Sequence, residues 1–212
     1  AAVSVFTLDY NTLRTIKILE RGKYGAPDLE VVPDVHDPGA SINILKTLRS
    51  HPAIAHATPL FFTSMTVAQP AGGAIELIGV EPKASNWFGG YYLRDGSTNI
   101  SLDDQRVIIL TQKMARQYRV SIGDSIFFSE MSDIPFRIIG ITSNWRLGAR
   151  NNGYVGFIPF QFGQQTFPSK IQTVRYWIKG RGGLTVEKLQ TVLPYGNRVI
   201  VPDYILAGEV GD

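Results

Sequence analysis

The sequence predicts an α+β fold in which strand–helix–strand patterns at the two ends of the chain form one lobe around an inserted, strand-rich second lobe. Three observations support this prediction. Apolar residues alternate between strand-like and helix-like spacing over residues 28–67, and the same alternation returns over 173–201. Between these segments, residues 107–160 contain short apolar runs separated by Gly- and Asn-rich stretches. This order of elements is typical of α+β proteins.

The first part of the chain predicts a helix followed by a strand, a helix and two further strands. The expected elements are a helix over 3–20, a strand over 28–32, a helix over 41–49, and strands over 54–67 and 74–80. Ser41 is a candidate N-cap of the second helix. Pro52 marks the end of that helix, because proline restricts the residue before it to extended conformations.

The rest of the chain alternates in the same way. The expected strands cover 107–110, 126–128, 136–141, 156–160, 173–178 and 198–201, and the expected helices cover 111–118 and 185–193. Thr111 and Thr185 are candidate N-caps. Gly123, Asp124 and Ser125 predict a tight turn, in which Gly takes a positive φ and Asp bonds to nearby backbone amides. Residues 81–99 are expected to be irregular, and 145–153 to be a polar loop.

Composition narrows the classes of function. The chain has 212 residues, a net charge of only +3 and no Cys. The weak charge argues against nucleic acid as a partner. The lack of Cys excludes disulfides, thiolate catalysis and Cys-type metal sites. The sequence also lacks a P-loop, a G-x-G-x-x-G motif and a G-x-S-x-G motif. We therefore expect no enzyme activity and no cofactor.

Metal binding is also not expected. The three histidines are His36, His51 and His56. His51 and His56 are five residues apart with Pro52 between them, so they cannot share one helix face as metal ligands usually do. These histidines are more simply explained as loop or surface residues.

Two segments are candidate contacts with a partner protein. The first is a Gly-containing loop of aromatic residues: Trp87, Phe88, Tyr91 and Tyr92. It predicts either an exposed contact surface or core packing beneath a loop. The second is a polar loop that contains Trp145, Arg146 and Arg150. It predicts either a binding site or, more simply, a solvated hairpin tip.

Several motifs follow one another in an order that resembles a known family. They are residues 27–31 (PDLEV), 52–59 (PAIAHATP), 75–82 (IELIGVEP), 107–115 (VIILTQKMA), 120–126 (VSIGDSI), 136–141 (FRIIGI) and 155–159 (VGFIP). This set resembles the periplasmic core domain of MacB-type ABC transporter permeases, a group that includes FtsX-like and LolC/LolE-like proteins. The resemblance runs from about residue 27 to residue 201 and depends on the whole ordered set.

The resemblance implies a division of the chain. A porter-like lobe would comprise residues 26–82 and 168–206, and residues 83–167 would form the inserted lobe. Residues 1–25 would be a stalk helix that continues from a membrane helix, and 207–212 would lead to the next one. On this basis we expect the chain to have been cut from a longer protein, located at the extracytoplasmic side of the cell membrane.

The resemblance also implies a function without catalytic residues. Such a domain couples ATP hydrolysis in the cytoplasm to movement outside the membrane, for the export or release of peptide, lipoprotein or drug-like cargo. The implied partners are an ABC ATPase subunit or domain, a second permease copy, and an adaptor, hydrolase or lipoprotein outside the membrane. The main alternative is a secreted or surface-anchored protein-binding module, and an enzyme is the third possibility.

Overall fold

The computed structural model describes residues 27–34, 40–68, 72–81, 84, 88, 93–96, 106–144 and 146–202. These residues form a mixed α+β fold, so the predicted fold class is confirmed. The strands are β1 (Leu29–Val32), β2 (Ile54–Thr66), β3 (Ala74–Val80), β4 (Leu93–Gly96), β5 (Val107–Thr111), β6 (Ser125–Ile126), β7 (Phe136–Thr142), β8 (Val155–Pro159), β9 (Thr173–Gly180) and β10 (Arg198–Ile200). The α-helices within these ranges are α1 (Ala40–Ser50), α2 (Gln112–Tyr118), α3 (Phe160–Thr166) and α4 (Val186–Gln190).

Strands from the two ends of the chain interleave. Nine strands follow the order β10-β1-β9-β2-β3-β8-β5-β7-β4, and β6 pairs with β7 beside this path. β9 lies between β1 and β2 and is antiparallel to both. β1 likewise lies between β9 and β10. Each strand–helix–strand unit therefore spans a strand of the other unit, which is the split βαβ arrangement of ferredoxin-like folds. Neither unit completes its part of the sheet alone.

The middle of the chain extends the same sheet. β3 pairs in parallel with β8, from Glu76 opposite Val155 to Val80 opposite Pro159. β8 continues antiparallel to β5, and β5 pairs in parallel with β7. Strands from residues 26–82 and 168–206 thus form one side of the sheet, and strands from 83–167 form the other. The β3–β8 pairing is the strand pairing that joins the two sides, and an isolated bridge between Val67 and Phe128 adds a second backbone contact.

The sheet buries apolar side chains on both faces, which explains the nearly continuous apolar run of β2. Phe61 and Phe62 point to opposite faces because successive side chains of a strand alternate. On the Phe61 face, helices cover two apolar clusters, which include Ile44 and Leu48 of α1 and Phe162 of α3. On the Phe62 face, a third cluster contains residues of the central strands, together with Phe88 and Leu147.

Local capping agrees with the sequence. The Thr111 hydroxyl accepts a hydrogen bond from the Met114 N–H at 3.4 Å, so Thr111 is the N-cap of α2. Thr185 caps α4 in the same way through the Lys188 N–H at 3.3 Å. Gly123 has φ +97°, and the Ser121 N–H donates to the Asp124 carboxylate at 2.8 Å, as the predicted turn requires.

Four local predictions differ from the structure. Helix α3 follows β8 directly, where no helix was expected, because Phe162 gains burial against the sheet. Strand β4 lies inside the segment expected to be irregular. The strand expected over 126–128 shortens to β6, and Phe128 makes only an isolated bridge to Val67. The polar loop folds into 3-10 turns over Arg146–Gly153. The helix expected over 3–20 lies outside the described residues.

The Phe61 ring packs where the two sides of the sheet meet. It contacts Phe160 and Phe167, with ring centroids 5.6 and 6.0 Å away. A Cβ atom added at Gly79 would lie 1.9 Å from this ring, and one at Gly163 would lie 2.2 Å from it. Glycine at both positions therefore allows the buried ring to lie directly against β3 and α3.

We expect Gly79→Ala to lower the free energy of unfolding by about 2 kcal/mol, because the new methyl group overpacks a fully buried ring. Urea-induced unfolding measures this effect. Gly73→Ala is the matched control, since its Cβ would meet its nearest neighbour, the Tyr118 hydroxyl, at an ordinary 3.7 Å. Equal stability of the two variants would show that the Phe61 ring does not need the glycine.

Candidate functional site

The Arg146–Gly153 segment, which carries two of the predicted contact residues, is fixed to the sheet. Asn151, Asn152 and Gly153 have φ values of 46°, 53° and 79°. Asn and Gly adopt this left-handed conformation more readily than other residues do. The Lys113 ammonium donates to the Asn152 carbonyl at 2.7 Å, and the Thr111 hydroxyl donates to the Gly153 carbonyl. The segment is therefore a packed turn.

Arg150 binds this segment to β3 and β2. Its Nε donates to Glu76 Oε2 at 2.8 Å and its Nη2 donates to Oε1 at 2.7 Å. The guanidinium carbon lies 4.7 Å from the centroid of the Phe62 ring. A bidentate ion pair with cation–π stacking suits the planar guanidinium and would not be reproduced by lysine. Arg150 thus connects the loop after β7 to the neighbouring strands.

A second ion pair lies on the other side of Phe62. Arg175 of β9 donates from Nη1 to Glu30 of β1, and its guanidinium carbon lies 5.6 Å from the Phe62 centroid. Glu30 is 0% exposed, and its other oxygen accepts from the Trp177 indole N–H at 3.2 Å. A buried carboxylate needs such partners, because an unpaired buried charge is strongly unfavourable.

We refer to these residues as the arginine–Phe62 array. It comprises Glu30, Phe62, Glu76, Arg150 and Arg175, and it crosses β1, β9, β2 and β3 on one face of the sheet. The two carboxylates are each bound by a guanidinium, and the Nε atom of Arg175 is buried without a hydrogen-bond partner. Because both carboxylates are bound by guanidinium groups, the geometry of the array favours a structural role.

The structure separates the predicted contact residues into three groups. Phe88 is 1% exposed, and its ring centroid lies 5.9 Å from that of Trp177. Of the two alternatives for this segment, Phe88 therefore fits core packing and does not form an exposed contact. Arg150 belongs to the array and is half-buried. Around it, Leu147 is buried in the core, whereas Asn151 and Asn152 are exposed to solvent. Trp87, Tyr91, Tyr92 and Trp145, and the side chain of Arg146, lie outside the described residues.

Three titratable groups with shifted pKa values, Glu130, Tyr118 and Glu187, lie apart from the array. Burial raises the pKa of Glu130, but hydrogen bonds, above all from the Thr66 N–H, outweigh it and hold the pKa below its usual value. The pKa of Tyr118 is raised by burial and by the nearby Tyr154. The pKa of Glu187 is lowered by hydrogen bonds at the start of α4. Within the described ranges, no three His, Asp or Glu side chains are grouped so that they could hold a metal ion.

The chain enters and leaves the described sheet at neighbouring positions. β1 and β10 are antiparallel, and Glu30 near the start of β1 lies opposite Ile200 at the end of β10. The chain therefore enters β1 and leaves β10 side by side, at the same end of the sheet. Over the described residues, none of the helices has the length and apolar character needed to cross a membrane.

The sequence pattern that defines the MacB-like periplasmic core domain matches residues 3–193. The chain belongs to this family. As a MacB-like periplasmic core domain, it is an extracytoplasmic domain of the ABC transporter permease family, and the resemblance described above is confirmed. Comparison with curated protein sequences gave no significant match.

Solved structures support the fold of this MacB-like domain. The periplasmic region of MacB from Actinobacillus actinomycetemcomitans is similar with a TM-score of 0.61 at 15% identity, over 87% of this chain and 94% of that one. The extracellular domain of the noncanonical ABC-type transporter YknZ from Gram-positive bacteria is similar with a TM-score of 0.56 at 16% identity. The match covers 82% of this chain and 98% of that domain. A domain of a putative permease from Porphyromonas gingivalis is similar with a TM-score of 0.56 at 14% sequence identity. The match covers 84% of this chain and 90% of that domain.

We expect Arg150→Leu to lower the free energy of unfolding of the MacB-like domain by about 1–2 kcal/mol, because Glu76 loses both of its hydrogen bonds from the guanidinium. Arg150→Lys should recover only part of this loss. Thermal unfolding measures both variants. Arg198→Leu, at an exposed position of β10, is the control. If the Arg150 and Arg198 variants were equally stable, the ion pair between Arg150 and Glu76, which we call the Arg150 clamp, would not contribute to folding.

Glu30→Ala should be the most damaging change in the array. It removes the buried carboxylate that accepts hydrogen bonds from Arg175 and Trp177, and removal of one member of a buried ion pair costs about 3–5 kcal/mol. Glu30→Gln should be milder, because its amide oxygen can still accept from the indole. Chemical unfolding compares these variants with Asp133→Ala, an exposed carboxylate. A Glu30→Ala variant as stable as Asp133→Ala would contradict the assigned role.

Proposed function

We propose that this domain passes movement driven by ATP hydrolysis in the cytoplasm to partners or cargo outside the membrane. Its membership of the MacB-like periplasmic core domain family makes it the outer part of a permease. The observation that carries the proposal further is the side-by-side exit of the chain at β1 and β10. A domain held at two adjacent points of one sheet edge follows the tilt or separation of the segments that hold it.

The continuous sheet supports transmission through the domain. β1 and β10 lie at one end of the strand order and β4 lies at the other, with backbone pairing between them at every step. The β3–β8 pairing and the Arg150 clamp both connect the side built from the chain ends to the side built from its middle. We propose that the porter-like lobe (26–82 and 168–206) and the inserted lobe (83–167) move together, with 1–25 and 207–212 as the connections to membrane helices.

The partners follow from this function. We propose an ABC ATPase subunit or domain reached through the membrane part, and a second permease copy beside the first. Outside the membrane, the partner would be an adaptor, hydrolase or lipoprotein, and the cargo would be a peptide, lipoprotein or drug-like molecule. The alternative of a secreted binding module draws no support from Phe88, since the part of its aromatic contact loop that the structure describes points into the core.

A distance measurement between two permease copies tests the coupling. These 212 residues contain no Cys, so Gln165→Cys in a permease from which any Cys elsewhere has been removed places a single spin label at an exposed position of α3. We expect the label-to-label distance in the membrane-embedded permease to differ between the nucleotide-free and ATP-bound states. An ATPase subunit that cannot bind ATP is the control, and it should abolish the difference. An unchanged distance on ATP binding would refute the proposed coupling.

A further inference from the structure

A groove opens on the helical face of the sheet, between α1 and α3. Pro59 of β2 and Tyr176 of β9 form its floor, and both are buried. Leu45 and Lys46 of α1 form one wall, and Phe160 and Gln164 of α3 form the other. The volume is about 500 Å³, within the range of sites that bind ligands in proteins. The groove lies apart from the array, which occupies the opposite face of the sheet.

The lining is apolar at the bottom and basic at one rim. Leu45 and Phe160 are half-buried and continue the apolar floor up the two walls. Lys46 is exposed above it and forms no ion pair with any described residue. Arg49 lies one turn further along α1, bound to both oxygens of Glu81 at 2.7 Å and to the Ala57 carbonyl at 3.2 Å. It is held in place at the same rim.

These features indicate the charge and shape of an occupant. Among the residues that the structure describes, no carboxylate lines the groove, so Lys46 offers a positive charge without a described counter-charge beside apolar surface. A segment that buries apolar side chains on the floor and directs a carboxylate to Lys46 would match both properties. The α1 residues that line the groove run from Leu45 to Ser50, about 9 Å of helix, so the groove has room for between one and two turns of an amphipathic helix.

We propose that this groove binds an acidic amphipathic segment of a partner protein outside the membrane. The proposal rests on the proposed function and names the chemistry of its outer partner. Because α1 belongs to the side of the sheet built from the chain ends and α3 follows β8 of the other side, the bound segment contacts both sides at once.

Binding of designed peptides to the ¹⁵N-labelled 212-residue chain tests this proposal. The probe is a 14-residue helix of Leu and Glu with one apolar face, and the comparison peptide replaces each Glu by Lys. We expect the Leu/Glu peptide to shift the amide signals of Leu45, Lys46 and Gln164 on binding. The Leu/Lys peptide should bind at least tenfold more weakly, because it places like charges against Lys46.

Variants that change the charge of the groove walls test whether the peptide binds through its carboxylates. Lys46→Glu should weaken binding of the Leu/Glu peptide about tenfold, and Gln164→Arg on the opposite wall should strengthen it several-fold. Arg116→Glu on α2 is the matched control, because it makes the same charge change at an exposed site that does not line the groove. It should bind the peptide as the unmodified chain does.

Four outcomes would overturn the proposal: equal binding of both peptides, signal shifts confined to other surfaces, an unchanged affinity of Lys46→Glu, or occupation of the groove by sodium oleate but by neither peptide. The last result would identify the groove as a lipid site. None of these outcomes bears on the spin-label distance between permease copies. An experiment that overturns peptide binding at the groove therefore leaves the proposed coupling to ATP hydrolysis to be tested separately.

Discussion

The parallel pairing of β3 with β8 is the contact on which the rest of this domain depends. It is the step in the strand order at which the strands from both chain ends meet the strands from the middle. Gly79 and Gly163 let the Phe61 ring lie against this junction from the helical face. Without the junction, the sheet would separate into a four-stranded split βαβ unit extended by β3, and a group of short strands whose edges would be exposed.

The charged residues on the two faces of the sheet differ in whether they form ion pairs. On one face, the array places Phe62 between two guanidinium groups, and each guanidinium is neutralised by a carboxylate from a neighbouring strand. The Arg150–Glu76 pair holds the loop after β7 in place, and the Arg175–Glu30 pair joins β9 to β1. On the helical face, Lys46 remains without an ion pair among the described residues. The paired charges of the array stabilise the fold. An exposed Lys46 beside apolar surface is instead available to bind a partner.

The similar solved structures share the architecture at only 14–16% identity. This is physically reasonable, because strand pairing and apolar burial tolerate many substitutions as long as the pattern of buried positions is kept. The same tolerance means that similarity of fold says little about cargo or partner, which depend on the few exposed side chains. The side-by-side positions at which the chain enters β1 and leaves β10 follow from the topology itself and do not depend on these exposed side chains.

The sequence by itself determined the α+β class, the order of most elements and the caps at Thr111 and Thr185, because hydrophobic periodicity and capping are local properties of the chain. It also indicated the family, through motifs that follow one another in order. Only the tertiary structure decided that β9 lies between β1 and β2, that Phe88 is buried, and that Arg150 reaches Glu76, 74 residues away. Helix α3 belongs to the second group, since its seven residues are held by burial of Phe162 rather than by a strong local pattern. Contacts between residues far apart in the sequence depend on how the helices and strands pack. The spacing of residues within one segment does not determine that packing.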